Sequence, residues 1–174
     1  MRVLETERLV LRHLEASDAE FILRLLNEPS FIENIGDRGV RNTDDAARYI
    51  ANGPQTSYER FRFGLFLVEL KDAGDALGIC GLLKRDVLQQ PDIGFAFLPE
   101  FWSQGYAYEA AAATVAWADD TLGIGQLAAI TSPDNNKSIR LLEKLGFKFE
   151  RMMTVAEGEP EVRLFLRDGV RGGA

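Results

Sequence analysis

The sequence predicts one α/β domain, a mixed and mostly antiparallel β-sheet flanked by helices. Three observations lead there. Strand-type alternation and helix-type periodicity interleave along the chain in the order β-α-α-β-β-β-α-β-α-β-β. The three central strand segments follow one another with hairpin chemistry between the first two, which makes them antiparallel. A strand–helix–strand run over residues 92–132 then calls for a parallel crossover. At 174 residues the chain suits a single domain with a sizeable core, here drawn over residues 1–168, with 169–174 as a frayed tail.

Residues 8–14 (RLVLRHL) alternate apolar and polar side chains as a half-buried strand does. Ser17 and Glu20 have the S-x-x-E spacing of a capping box before a helix that Pro29 closes, and residues 30–41 read as loop or short turns. Thr43 is the expected N-cap of a second helix, with Gly53 just past its end. Strands follow at RFGLFLVEL and ALGICGLLKR, flanking the turn KDAGD, then at DIGFAFLP, stopped by Pro99. A long helix is expected from about Gly105 to Leu122. After it come the buried strand QLAAITS, a helix capped by Asp134 or Asn135 and ended at Gly146, and two last strands joined by AEGEP.

Composition narrows function by exclusion. A net charge of −7 argues against a nucleic-acid partner, which needs a basic face. No apolar run reaches membrane-spanning length, and the charged start MRVLETERL lacks a signal peptide's apolar core, so a cytoplasmic setting is expected. The single cysteine, Cys80 within LGICGLL, reads as a buried strand thiol, and the lone His13 as structural. No metal-ligand cluster and no phosphate-binding G-x-x-x-x-G-K-[ST] occur. GIGQLA (residues 123–128) mimics a dinucleotide fingerprint but follows a helix and opens a strand, the reverse of the required order.

The informative stretch is FWSQGYAYEAAAATVAWA (residues 101–118). A glycine, Gly105, stands where a long helix begins. The first turn of a helix leaves amides without helical partners and carries the positive end of the dipole, which together favour an anion. Glycine keeps a side chain out of the approach. Taken alone, the loop has a plainer reading as an ordinary helix start with a glycine in its lead-in turn. The second helix, beginning NNKSIRLLEKLG, follows the next strand, so both helix N-termini lie at the carboxyl end of two parallel strands, where open α/β sheets bind ligands.

Three segments in register, ETERLVLRHLEASDAEFILRLLNEP, DIGFAFLPEFWSQGYAYEA and NNKSIRLLEKLGF, resemble the GNAT superfamily of acetyl-CoA-dependent N-acetyltransferases, nearest the Rim-type branch that acetylates ribosomal-protein N-termini. The resemblance covers nearly the whole chain and implies a single GNAT-like domain. It places the family's Q/R-x-x-G-x-G/A signature on Trp102, Ser103, Gln104, Gly105, Tyr106 and Ala107, whose amides would hold the diphosphate of acetyl-CoA. Trp102 departs from the Gln or Arg of that pattern. Phe97 and Leu98 would pair with the pantetheine arm, and an amide near Leu98 would meet the developing oxyanion. Asn135 and Ser138 match the branch's N-x-x-S and would approach the arm and the sulfur.

Many members carry a tyrosine that protonates the leaving thiolate, and Leu142 stands there in this chain. Ser138, one turn earlier on the same face, is the nearest hydroxyl; Tyr106, Tyr108 and solvent are lesser candidates. Asp92 occupies the position where the branch often has Glu and is the candidate base, a solvated strand-end carboxylate being the plainer reading. Glu109 reads as a helix residue near the dipole's positive end. Glu33, Asp37 and Arg38 fall in the region that forms the acceptor wall in this family, and Lys137 and Arg140 are ordinary surface charge or contacts for the nucleotide's 3′-phosphate.

The resemblance thus implies direct acetyl transfer, without metal, from acetyl-CoA to a primary amine, either a protein N-terminus or a small molecule. The acceptor must first lose a proton. That costs about 1.4 kcal/mol for an α-amine at neutral pH and about 4.6 kcal/mol for a lysine-type amine, which favours the N-terminal substrate. The rival reading is a GNAT-fold module that binds CoA without transfer. Monomer and homodimer are equally open.

Overall fold

The structure is a computed structural model and describes residues 1–169. Its eight strands are β1 (Arg2–Glu5), β2 (Leu9–Arg12), β3 (Leu65–Leu70), β4 (Ala76–Leu83), β5 (Asp92–Phe97), β6 (Gln126–Thr131), β7 (Lys148–Met153) and β8 (Val162–Asp168). They form one sheet in the order β1-β2-β3-β4-β5-β6-β8-β7, antiparallel except for the β5–β6 pair. The helices are α1 (Ala19–Leu26), α2 (Pro29–Asn34), α3 (Thr43–Ile50), α4 (Thr56–Phe61), α5 (Tyr106–Asp120) and α6 (Asn136–Lys144).

The sheet is covered on both faces, which is why its middle strands read as unbroken apolar runs. Along β3, Phe66 and Val68 pack toward α5, while Leu65 and Leu67 pack toward α1 and α3 through Ile22, Leu25, Ala46 and Ile50. The alanines of α5 let that helix lie close to the sheet; Ala110, Ala111 and Ala118 are completely buried. Cys80 sits beneath α5 against Thr114, and burial pushes its thiol up to about 12, so it is a core thiol. His13 stacks on Tyr58 with ring centroids 4.0 Å apart, and burial holds its pKa below the ordinary value, in keeping with a structural role.

Several local expectations need correction. An extra edge strand, β1, precedes the expected first one; its four residues are too few to show alternation. The first-helix box is set two residues earlier than Ser17, where the Glu15 amide donates to Asp18 at 2.8 Å. Pro29 does not close a helix but opens α2, occupying a first-turn position where a missing N–H costs nothing. Asn42, not Thr43, caps α3, its side chain accepting from the Asp45 amide at 2.8 Å. Gly53 lies inside a π-turn (Ala51–Gln55) that carries the helix on into α4. Gly169 is paired, its amide donating to Gly125 O at 2.9 Å; the remainder of the expected tail, 170–174, lies outside the described residues.

What positions the site is the single parallel pair. The β5–β6 ladder holds at one register pair, Asp92 with Ala128, and then the strands part toward their carboxyl ends. Each remains paired on its other side, β5 with β4 and β6 with β8. The N-termini of α5 and α6 stand at the opening.

Candidate functional site

Two cavities meet at the parted strands. One, of about 870 Å³, is lined by Phe97, Trp102, Ser103, Gly105, Tyr106 and Ala107 together with residues of α6. The other, of about 510 Å³, lies toward the paired end and is lined by Arg38, Tyr49, Arg85, Asp92, Thr131 and Leu142 among others. Phe95, Asn34, Asn135 and Ser138 line both, so they mark the junction.

The loop before α5 is built to leave its amides open. Gly105 is the N-cap, in the left-handed region at φ +83°, and provides no side-chain cap. Ser103 is left-handed too, at φ +63°, which is uncommon for a residue with a Cβ and turns successive amides toward one concave side. Among the described residues, the amides of residues 103–108 donate to no protein oxygen. Gln104 lies behind the loop: its side chain donates to Glu100 O at 3.2 Å, and it is absent from both cavity walls. Gly105 was expected to clear space for a ligand. The structure adds a conformational reason, since φ +83° is strained for any other residue.

Trp102 takes up a place the signature pattern did not foretell. Its indole Nε1 donates to Phe97 O at 2.9 Å, and the ammonium of Lys137 lies 4.5 Å from its ring centroid, so the side chain bridges β5 and α6. Lys137 and Arg140 both reach the wall of the larger cavity.

Strand parity decides which backbone groups of β5 face the opening. The Pro91 carbonyl accepts from Ala128 on the β6 side, so the N–H and C=O of residues 93, 95 and 97 point that way. Those of 92, 94, 96 and 98 point to β4. Leu98 therefore cannot supply the oxyanion donor or pair with an arm in the cleft: its amide donates to Leu77 O at 2.9 Å, its side chain is buried, and it lines neither cavity. The gap-facing amides belong to Phe95 and Phe97.

Asp92 is not a solvated strand end. It is 1% exposed and accepts from Arg85 Nε at 3.1 and 3.2 Å. Burial pushes its pKa up to about 6 against the opposing pull of the Arg85 guanidinium. Arg85 was not foreseen, because only the β4–β5 hairpin brings it within reach, seven residues earlier in the chain.

On α6, Asn135 is the cap, its side chain accepting from the Ser138 amide at 3.4 Å. Leu142 is buried, and Thr131, on the same cavity wall, has a buried hydroxyl with no partner among the described residues. Tyr106 and Tyr108 line the larger cavity, beneath the cations of Arg8 and Lys144. Glu33, Asp37 and Arg38 lie on the wall of the smaller one. Among the described residues no helix is long and apolar enough to cross a membrane, and no group of three or more His, Cys, Asp or Glu side chains is placed to hold a metal.

The sequence profile of the acetyltransferase (GNAT) domain matches residues 8–148. The chain is 30% identical over 151 residues to the uncharacterized protein YkkB of Bacillus subtilis (85% of this chain, 86% of YkkB). It is 28% identical over 153 residues to the uncharacterized N-acetyltransferase YoaA of the same organism, covering 87% of this chain and 85% of YoaA. Among solved structures, RimL, a ribosomal L7/L12 α-N-protein acetyltransferase in complex with coenzyme A, superposes with a TM-score of 0.85 over 98% of this chain and 99% of RimL at 14% identity, a likeness of fold. The chain belongs to the GNAT acetyltransferase family and is an N-acetyltransferase.

Proposed function

We propose that the enzyme moves an acetyl group from acetyl-CoA directly to a primary amine. The observation that carries this is the row of unpartnered amides at residues 103–108, all but Gln104 on residues lining a cavity that joins a second one through the gap between β5 and β6. Amides with no protein acceptor at a helix N-terminus fit a diphosphate, and the gap-facing edge of β5 fits the amide-bearing pantetheine arm. The fit is to acetyl-CoA as substrate, with Ser103, Gly105, Tyr106 and Ala107 at the diphosphate and Phe97 at the arm.

In this scheme a neutral amine enters through the smaller cavity and attacks the thioester carbonyl. The C–N bond forms, the C–S bond breaks, and the electron pair leaves on sulfur. The Phe95 amide, the gap-facing donor nearer Asp92, meets the developing oxyanion, a contribution of about 3 kcal/mol by the measure of other oxyanion donors. Asp92 takes the ammonium proton through water, since Asp92 and Phe95 lie three residues apart, roughly 10 Å along a strand. A carboxylate raised to about 6 is ionised at neutral pH and is a stronger base than an ordinary aspartate. Ser138, at the junction of the cavities, hydrogen-bonds the departing thiolate.

The acceptor we favour is a peptide α-amine, on the low deprotonation cost of such amines and the fold shared with RimL. A second reading has a specific observation behind it: Glu33, Asp37, Glu159 and Glu161 outnumber Arg38 at the mouth of the smaller cavity, which suits a small amine with further positive charge. A panel of N-terminal peptides and polyamines with acetyl-CoA, read by free thiol, separates the two. Absence of thiol release with every amine tested, despite tight CoA binding, would instead point to a binding module.

A further inference from the structure

The turn between β1 and β2 reaches across to the start of α5, and three of its contacts converge there. Thr6 Oγ1 donates to Glu109 Oε2, the Arg8 amide donates to the same oxygen at 3.0 Å, and Arg8 Nε donates to Glu109 Oε1 at 2.8 Å. From this anchor Arg8 Nη1 reaches Gln104 O at 3.0 Å, and the guanidinium lies 4.3 Å from the Tyr106 ring centroid. A Cβ placed on Gly105 would come 3.3 Å from Arg8 Nη2. Arg8 lines neither cavity, so it stands behind the loop whose amides face the larger one.

We infer that Arg8 is a positioning residue for a diphosphate ester at the α5 N-terminus, acting through the loop and through Glu109. Two physical effects combine. By taking the Gln104 carbonyl on the far side, the guanidinium turns that peptide plane so that its amide partner is presented to the cavity, and it holds the left-handed Gly105 in place. It also pairs with the carboxylate of the first turn of α5. A carboxylate there suits the dipole of an empty helix but opposes an anionic ligand a few ångströms away. Burial alone would raise the Glu109 pKa, yet the bonds from Thr6 and Arg8 outweigh it, so Glu109 is ionised and its charge must be balanced for a diphosphate to settle. Arg8 supplies that balance without touching the ligand. This role rests on the acetyl-CoA reading above and concerns only its diphosphate end.

The test is calorimetric titration of the whole chain with CoA and, separately, with pantetheine, which lacks the diphosphate. Arg8→Met is expected to weaken CoA binding about tenfold, the scale of one unbalanced charge near a diphosphate at intermediate screening, while leaving pantetheine unchanged. In turnover the loss appears in KM for acetyl-CoA and not in kcat. Adding Glu109→Gln to Arg8→Met restores about half of the lost affinity on a logarithmic scale, because the charge that Arg8 balanced is gone. Arg8→Lys, which keeps the charge but not the fork that spans Glu109 and Gln104 O, falls between wild type and Arg8→Met and guards against misfolding of the Met variant. The inference is overturned by wild-type CoA affinity in Arg8→Met, by equal losses for CoA and pantetheine, or by no recovery in the double variant. A wild-type protein that binds no CoA would overturn the acetyl-CoA reading itself and this inference with it.

Discussion

The two helices that open at the parted strands begin in opposite ways. At α6, Asn135 closes the first turn with its own side chain, as Asn42 does at α3. At α5 no side chain does so; a left-handed Gly105 precedes the helix, and the amides of the lead-in and first turn stay open. A capped start contributes about 1 kcal/mol to its helix. An uncapped one forgoes that stability and keeps donors for something else. In the proposed function the two do different work: α6 supplies side chains held in fixed positions, and α5 supplies bare backbone to an anion.

The sharpest way to break this contrast is at Gly105. Gly105→Val puts a β-branched residue at φ +83° and presses on Arg8; CoA affinity should fall more than about 100-fold, with a stability loss of about 1–2 kcal/mol in urea unfolding. Affinity near that of wild type would mean the loop's shape is irrelevant to the ligand.

Next in size is Asp92. As the base, it should give kcat/KM an acidic limb near pH 6, and Asp92→Asn should lower the plateau about 100-fold or more and remove the limb. Its stability effect has the opposite sense. The folded pKa of about 6 exceeds the ordinary 3.8, so the contribution from this group is full below pH 3.8 and is lost as pH rises through 6, a swing of about 3 kcal/mol. Asp92→Asn should therefore lack the decline in stability that wild type shows over that window. A variant with the wild-type pH–stability profile would contradict the burial assigned to this carboxylate.

At α6 smaller effects are expected. Asn135→Ala should cost about 1 kcal/mol of stability through the lost cap and raise KM for acetyl-CoA only a few-fold. Ser138→Ala should lower kcat by less than about tenfold, because a thiolate with pKa near 8.5 leaves readily without a strong acid. A thousand-fold loss in Ser138→Ala would make it an obligatory acid and blur the division between the two helices.

The same contrast marks what could be read from the chain. The α5 start was legible because glycine before an alanine-rich helix is a local signal, and the α6 cap was legible to within Asp134 or Asn135 because caps are local too. Cys80 and the order of the later strands were legible from runs of apolar residues. What escaped depends on pairing. Leu98 looked like the oxyanion donor, but its amide bonds to Leu77, and the parity of β5 leaves the amides of Phe95 and Phe97 facing the gap. Asp92 looked solvated because a strand-end carboxylate usually is; its burial comes from β6 and from Arg85, neither of which a local reading aligns with it. Arg8 sits 101 residues from Glu109, a distance only the fold closes. The helix at Pro29 was missed for a different reason, since proline both ends helices and opens them.

The central claim is that bare amides at the start of α5 grip a diphosphate. Amide proton–nitrogen NMR spectra of the enzyme titrated with CoA and with pantetheine test it most directly. The account predicts large shifts for residues 103–108 with CoA and little change there with pantetheine. Unmoved resonances for those residues at saturating CoA would contradict it.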